Sequence, residues 1–220
     1  MARFARLVVP GYPHHITQRG VRSMAIFVDD HDRQTYLQYM AEEAERWGVS
    51  FLGWCLMTNH VHLIAVPEQN NSLARAIGNA HRRYTQKKNF DAGVRGYLFQ
   101  GRFHSCVLDE PHLLAAGRYI ERNPVKAGMV SRPQDYAWSS CRYHCFLKDQ
   151  DPLVRARRLP ELAGNWVGFL EMFDAETDQS LCKQTRTGRP LGDDRFVLKV
   201  ESLTQRTVRC RPPGRPRTLK

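Results

Sequence analysis

Apolar residues recur along the first 125 positions with two different periods. Tyr36, Leu37, Met40, Ala44 and Trp47 fall at helical spacing. They predict a helix over about 30–47, capped by Asp29 or Asp30 and stopped by Gly48. Two β-rich runs follow, 50–57 and 60–67, separated only by Thr58-Asn59. Such a short link joins antiparallel strands, and Asn tolerates the unusual backbone angle it needs. Leu73, Ile77, Ala80 and Tyr84 mark a second helix over 72–89, opened by Ser72. Residues 12–18 read as a first strand and 97–109 as a fourth. A third helix is expected over 111–123, ended by Pro124 because the residue before proline avoids the helical region.

The order βαββαβ, with one further helix, is the split-βαβ, ferredoxin-like α+β arrangement. It predicts one antiparallel sheet with its helices on one face and the other face free for a ligand. Beyond Ser131 the pattern weakens to one short helix within 132–147 and another within 159–173. The chain therefore divides into a main domain over 1–147, a small helical extension over 148–182 and a basic tail over 183–220, expected to be flexible.

The length of 220 residues suits such a domain and buries a core without disulfides. With 42% hydrophobic and 25% charged residues the chain is neither fibrous nor disordered overall. No apolar run approaches the ~20 residues of a membrane helix, and the start lacks the apolar core of a signal peptide. A cytoplasmic protein is expected, with no membrane partner. Cys141 and Cys145 flank His144, a weak metal pattern; idle thiols in a reducing compartment are the plainer reading of the six cysteines.

Charge sharpens the picture. The net formal charge is +11, and residues 183–220, with 11 basic and 3 acidic side chains, carry +8 of it. A basic tail on a nearly balanced body points to a polyanion, most directly nucleic acid. The plainer alternative is a solvated tail that aids solubility.

His60 and His62 lie two apart in the third predicted strand, so both project to one side of the sheet and both imidazoles can reach one metal ion. Two strand histidines on a polar face are the structural alternative. Tyr119 and Asn123 lie four apart in the third helix and share a face. Asn123 offers an amide oxygen that suits Mg²⁺ or Mn²⁺. Tyr119 offers an oxygen able to attack phosphorus once its proton is gone. Taken alone, this pair equally describes a core tyrosine and a helix-terminal asparagine.

Five segments occur in order: PGYPHHITQRG, CLMTNHVHLIAVP, YLFQGRFHS, RYIERNPVKAGMV and PQDYAWSS. Together they resemble the single-tyrosine HUH transposases, and most closely the REP-associated tyrosine transposase branch, itself similar to small insertion-sequence transposases. The likeness spans about residues 8–145, and LGDDRF and GRPR near the end are similar to that branch too. The resemblance implies that 1–147 is a catalytic domain whose further helix carries the nucleophile. His60 and His62 would bind a divalent ion, Mg²⁺ or Mn²⁺, with Asn123 at the third ligand position and Tyr119 as nucleophile. The implied reaction cuts and rejoins single-stranded or hairpin DNA of the repetitive-palindrome type through a 5′-phosphotyrosine, with no small-molecule substrate. It also implies a nucleoid-associated bacterial protein acting as monomer or homodimer.

His15, Thr17 and Arg19 belong to the first-strand signature of that family, and His15 either supports the metal or contacts DNA. Arg82, Arg83, Lys87 and Arg102 are candidate phosphate contacts, with a solvated helix face as the rival reading for those on the second helix. Glu121-Arg122 depart from the commoner pair before the Asn-Pro and are read as tolerable, being on another face from Tyr119. The rival function is a non-catalytic hairpin DNA or RNA binder on a ferredoxin-like sheet, which would have no use for His60, His62, Tyr119 and Asn123 as a set.

Overall fold

The computed structural model describes residues 6–209. The elements run β1 (His14–Arg19), α1 (Asp30–Trp47), β2 (Val49–Leu56), β3 (His60–Pro67), α2 (Ser72–Asp91), β4 (His104–Val107) and α3 (Glu110–Lys126). The sheet order is β2-β3-β1-β4 with every neighbouring pair antiparallel, the split-βαβ, ferredoxin-like arrangement. Local chemistry sets the ends of α1. Asp29 accepts from the Asp32 amide at 2.8 Å, and Gly48 closes the helix at φ 61°, its N–H on the Ala44 carbonyl.

Side-chain alternation divides the sheet between two cores. Ile16, Val61, Leu63 and Ala65 pack against Tyr36 and Met40 of α1 and Leu73, Ile77 and Tyr84 of α2. Each fully buried large apolar side chain contributes roughly 1.5–3 kcal/mol. On the other face Ile64, Cys55 and Cys106 meet Leu113, Ala116 and Ile120 of α3. That second face is therefore covered, which corrects the expectation of helices on one side only. The reason lies in β3, which is apolar on both faces, as a doubly buried strand must be.

Further differences bear on the site. Only His104–Val107 joins the sheet as β4; residues 97–103 form a loop held by a Gly20–Phe99 bridge and turned by Gly96 and Gly101 at positive φ. Helix α3 does not end before Pro124 but runs through it to Lys126. A proline in the last turn removes one rung, and the Ala127 and Met129 amides still find the carbonyls of Asn123 and Pro124.

The stretch expected to be a flexible tail from 183 is folded as far as it is described. After α4 (Cys141–His144), α5 (Arg158–Ala163) and α6 (Trp166–Glu171), helix α7 (Ala175–Thr187) crosses the anticipated 182/183 boundary. Helix α8 (Asp194–Thr204) then buries Phe196 and Val200 against Leu7, Val9 and Val107. The GRPR segment and the last basic residues lie outside the described residues. No helix among the described residues is long and apolar enough to cross a membrane.

Candidate active site

Strand alternation aims His60 and His62 at the second face, at the open end of β3 beside β1. The register sets Thr17 opposite His62 and Arg19 opposite His60. Helix α3 crosses this face and brings Tyr119 over the histidines, with ring centroids 5.5 Å apart for His62–Tyr119 and 5.0 Å for His60–His62. A cavity of about 430 Å³ is lined by His15, Thr17, Arg19, His60, His62 and Tyr119 together with Gln100 and His104. Cys182, Thr185 and Arg186 of α7 close its far wall. No Asp or Glu lines it, and Arg19 and Arg186 make it electropositive.

The imidazoles are held in a hydrogen-bonded chain. His15 Nδ1 lies 2.7 Å from Thr185 Oγ1, and His15 Nε2 lies 3.1 Å from His62 Nδ1. His60 Nδ1 lies 2.7 Å from the Asn59 side-chain oxygen, to which it donates. Both His60 and His62 thus commit Nδ1 to protein and leave Nε2 without a hydrogen-bond partner among the described residues. Burial lowers the basicity of all three rings: His15 falls to about 3, His60 to about 4 with help from Arg19, and His62 well below the usual value. They are neutral near pH 7, the state in which imidazole donates a lone pair to a metal. An Nδ1 anchored on a side-chain oxygen is also how metal-binding histidines are commonly oriented. The donor set fits a divalent ion held through two Nε2 atoms.

Tyr119 Oη lies 3.1 Å from Cys182 Sγ. Burial, then the thiol, push its pKa above the usual phenol value, and Asn123 pulls the other way. Asn123 donates its side-chain N–H to the Tyr119 carbonyl at 3.0 Å and is not among the residues lining the cavity. The structure therefore unites His60, His62 and Tyr119 and sets Asn123 at the edge of the group. Among the described residues no three His, Cys, Asp or Glu side chains are arranged so as to hold a metal ion by themselves, at Cys141–Cys145 or elsewhere.

The candidate phosphate contacts separate. Arg82 and Arg102 are exposed. Arg83 is tied to Glu42 and Glu43 of α1 and lies over the Tyr39 ring; Lys87 is paired with Asp91. His15, Thr17 and Arg19 all line the cavity; His15 is the buried one of the three and is hydrogen-bonded to its neighbour His62. Cys182, Thr185 and Arg186 were not legible as site residues. The only sequence signal was their shared helix face, at spacings of three and four.

A sequence profile described as IS200-like transposase matches residues 10–123. A curated Haemophilus influenzae protein named as a REP-associated tyrosine transposase is 24% identical over 147 residues, covering 59% of this chain and 84% of that one. A solved REP-associated tyrosine transposase bound to a REP hairpin superposes with a TM-score of 0.55 at 17% identity, over 71% of this chain and 92% of the other.

Proposed function

The chain belongs to the IS200-like transposase family, and from that premise we propose that it cuts and rejoins single-stranded DNA beside a hairpin. The observation that carries this reading is the 5.5 Å approach of Tyr119 to His62 across a cavity lined by two arginines and no carboxylate. A cleft of that sign draws a phosphodiester in. Without a carboxylate to act as base towards water, it suits transfer to a protein nucleophile better than hydrolysis.

The Tyr119 oxygen gives up its proton to solvent and attacks a backbone phosphorus. A phosphotyrosine bond to the 5′ side forms, the bond to the 3′ oxygen breaks, and the departing strand leaves as a 3′-OH once that oxygen takes a proton. Arg19 and Arg186 face the charge that develops on the phosphate. His60 and His62 would hold a divalent ion, Mg²⁺ or Mn²⁺, which when bound polarises the phosphate oxygens. His15 and Thr185 fix the ring of His62. Rejoining reverses the exchange, with a 3′-OH attacking the phosphotyrosine.

The test is incubation with a hairpin oligonucleotide bearing a single-stranded flank, in Mg²⁺ or Mn²⁺, followed by a search for an SDS-resistant protein–DNA adduct. Wild type forms it and Tyr119→Phe does not. An adduct that persists in Tyr119→Phe removes Tyr119 as nucleophile. Binding without any adduct across a panel of hairpins leaves a non-catalytic DNA binder. The same adducts, trapped on mixed chains carrying Tyr119→Phe or His62→Ala, tell a monomer from a dimer that shares sites.

A further inference from the structure

Two more cavities continue from the site along the sheet. One of about 140 Å³ shares His104, Thr185 and Arg186 with the Tyr119 cavity. A groove of about 680 Å³ between α2 and the 96–103 loop in turn shares Arg6, Arg102 and Phe103 with it. Arg82 lines the far groove, and no Asp or Glu lines any of the three.

Arg6, Arg82, Arg102 and Arg186 have no carboxylate within 4 Å among the described residues, whereas Arg83, Lys87 and Lys88 of the same α2 are all ion-paired. Arg6 lies 3.5 Å above the Phe103 ring, and burial together with the Arg102 charge lowers it to about 10. Two guanidiniums are thus packed in mutual repulsion, an arrangement an anion relieves. Leu98, Phe99 and Phe103 form an apolar floor, and Tyr97 stands on the rim 89% exposed.

We infer that this track carries the single-stranded DNA adjoining the scissile phosphate, with phosphates on Arg186, Arg102 and Arg82 and a base stacked on Tyr97. The inference rests on the DNA-cutting reading above and adds where the strand runs. A row of unpaired cations beside an exposed aromatic ring suits a single strand, whose bases are free to stack. A duplex would offer the arginines its phosphates and leave Tyr97 and the apolar floor unused.

The test measures binding by fluorescence anisotropy without divalent ion. One probe is a blunt DNA hairpin; the other is the same hairpin with a flank of about eight dT nucleotides, within the usual span of single-strand sites. Wild type favours the flanked probe. Tyr97→Ala is expected to weaken the flanked probe by about 5–150-fold, the worth of one stacked base, and to leave the blunt one unchanged. Arg102→Ala should lower the salt slope for the flanked probe by about one contact. The inference is overturned if both variants bind both probes as wild type does, or weaken them equally. Flank preference without any adduct in Mg²⁺ or Mn²⁺ sinks the proposed chemistry and keeps the track. Adduct formation with no dependence on Tyr97 does the reverse.

Discussion

The hydroxyl of Tyr119 and the thiol of Cys182 meet at 3.1 Å, although 63 residues separate them in the chain. The contact ties α7 to the proposed nucleophile. Burial does most to hold the phenol protonated and the thiol adds to it. Cys182→Ala removes the smaller of these effects, so the rise of adduct formation with pH should begin at lower pH. Cys182 is exposed, and alkylation of wild type with iodoacetamide should block the adduct while Cys182→Ala resists the reagent. An unchanged pH profile in the variant would show that the thiol does not act on Tyr119.

Asn59 orients His60 through a 2.7 Å contact to Nδ1 and is itself fixed by donating to the Ser23 carbonyl at 3.1 Å. Loss of such an outer partner usually costs ~10–100-fold in metal affinity. Asn59→Ala should therefore weaken Mn²⁺ binding by about that factor in isothermal titration, and His60→Ala or His62→Ala should abolish it. Chelation with EDTA should stop adduct formation in wild type. Mn²⁺ affinity unaffected by His62→Ala would remove the metal assignment.

What was legible in the sequence depended on range. The bounds of α1 and β3 could be read directly, because periodicity and caps are local signals, and the His60–His62 pairing follows from strand alternation alone. The placement of Tyr119 over His62 came from the resemblance, since no local pattern says which sheet face α3 will cover. The cover of that face is foreshadowed only by Ile64 and Cys106, apolar where a free face would be polar. The wall built by α7 was hidden altogether. Thr185 touches His15 across 170 residues, and neither residue type announces the other.

Glu121 illustrates the same limit and gives the next expectation. Read as a tolerable variation, it is instead fully buried and accepts from Ser140, His144 and Trp166 at 2.7, 2.6 and 2.8 Å. It pins α4 and α6 to α3 behind the nucleophile. Glu121→Ala strands the buried donors of His144 and Trp166 at ~1–3 kcal/mol each, while Ser140 Oγ can turn to the Trp54 carbonyl 3.3 Å away. A loss of about 3–5 kcal/mol in urea unfolding is expected, with a shift in Trp166 fluorescence. Glu121→Gln keeps one acceptor oxygen and should lose less. Near-wild-type stability in Glu121→Ala would mean that His144 and Trp166 find other partners.

Acid should destabilise the fold before its carboxylates titrate. His14 is buried, with Nε2 accepting from the Val9 amide at 3.2 Å and Nδ1 bonded to the Tyr12 carbonyl at 2.8 Å. Only the neutral ring satisfies both. Burial lowers His14 to about 4 and His81, bonded to Tyr36, to about 3. A histidine whose folded pKa lies below its unfolded value contributes stability fully above about 6.5 and loses it as pH falls towards the folded pKa. The urea midpoint should therefore fall steadily between about pH 6.5 and 4. Asp32 cannot cause this, because hydrogen bonds from Lys88 and Val28 outweigh burial and hold its carboxyl below the usual range. His14→Gln keeps a donor and an acceptor and does not titrate, so it should make the slope shallower, with His15, His60, His62 and His81 supplying what is left. An equally steep decline in His14→Gln and in His81→Leu would place the acid sensitivity elsewhere.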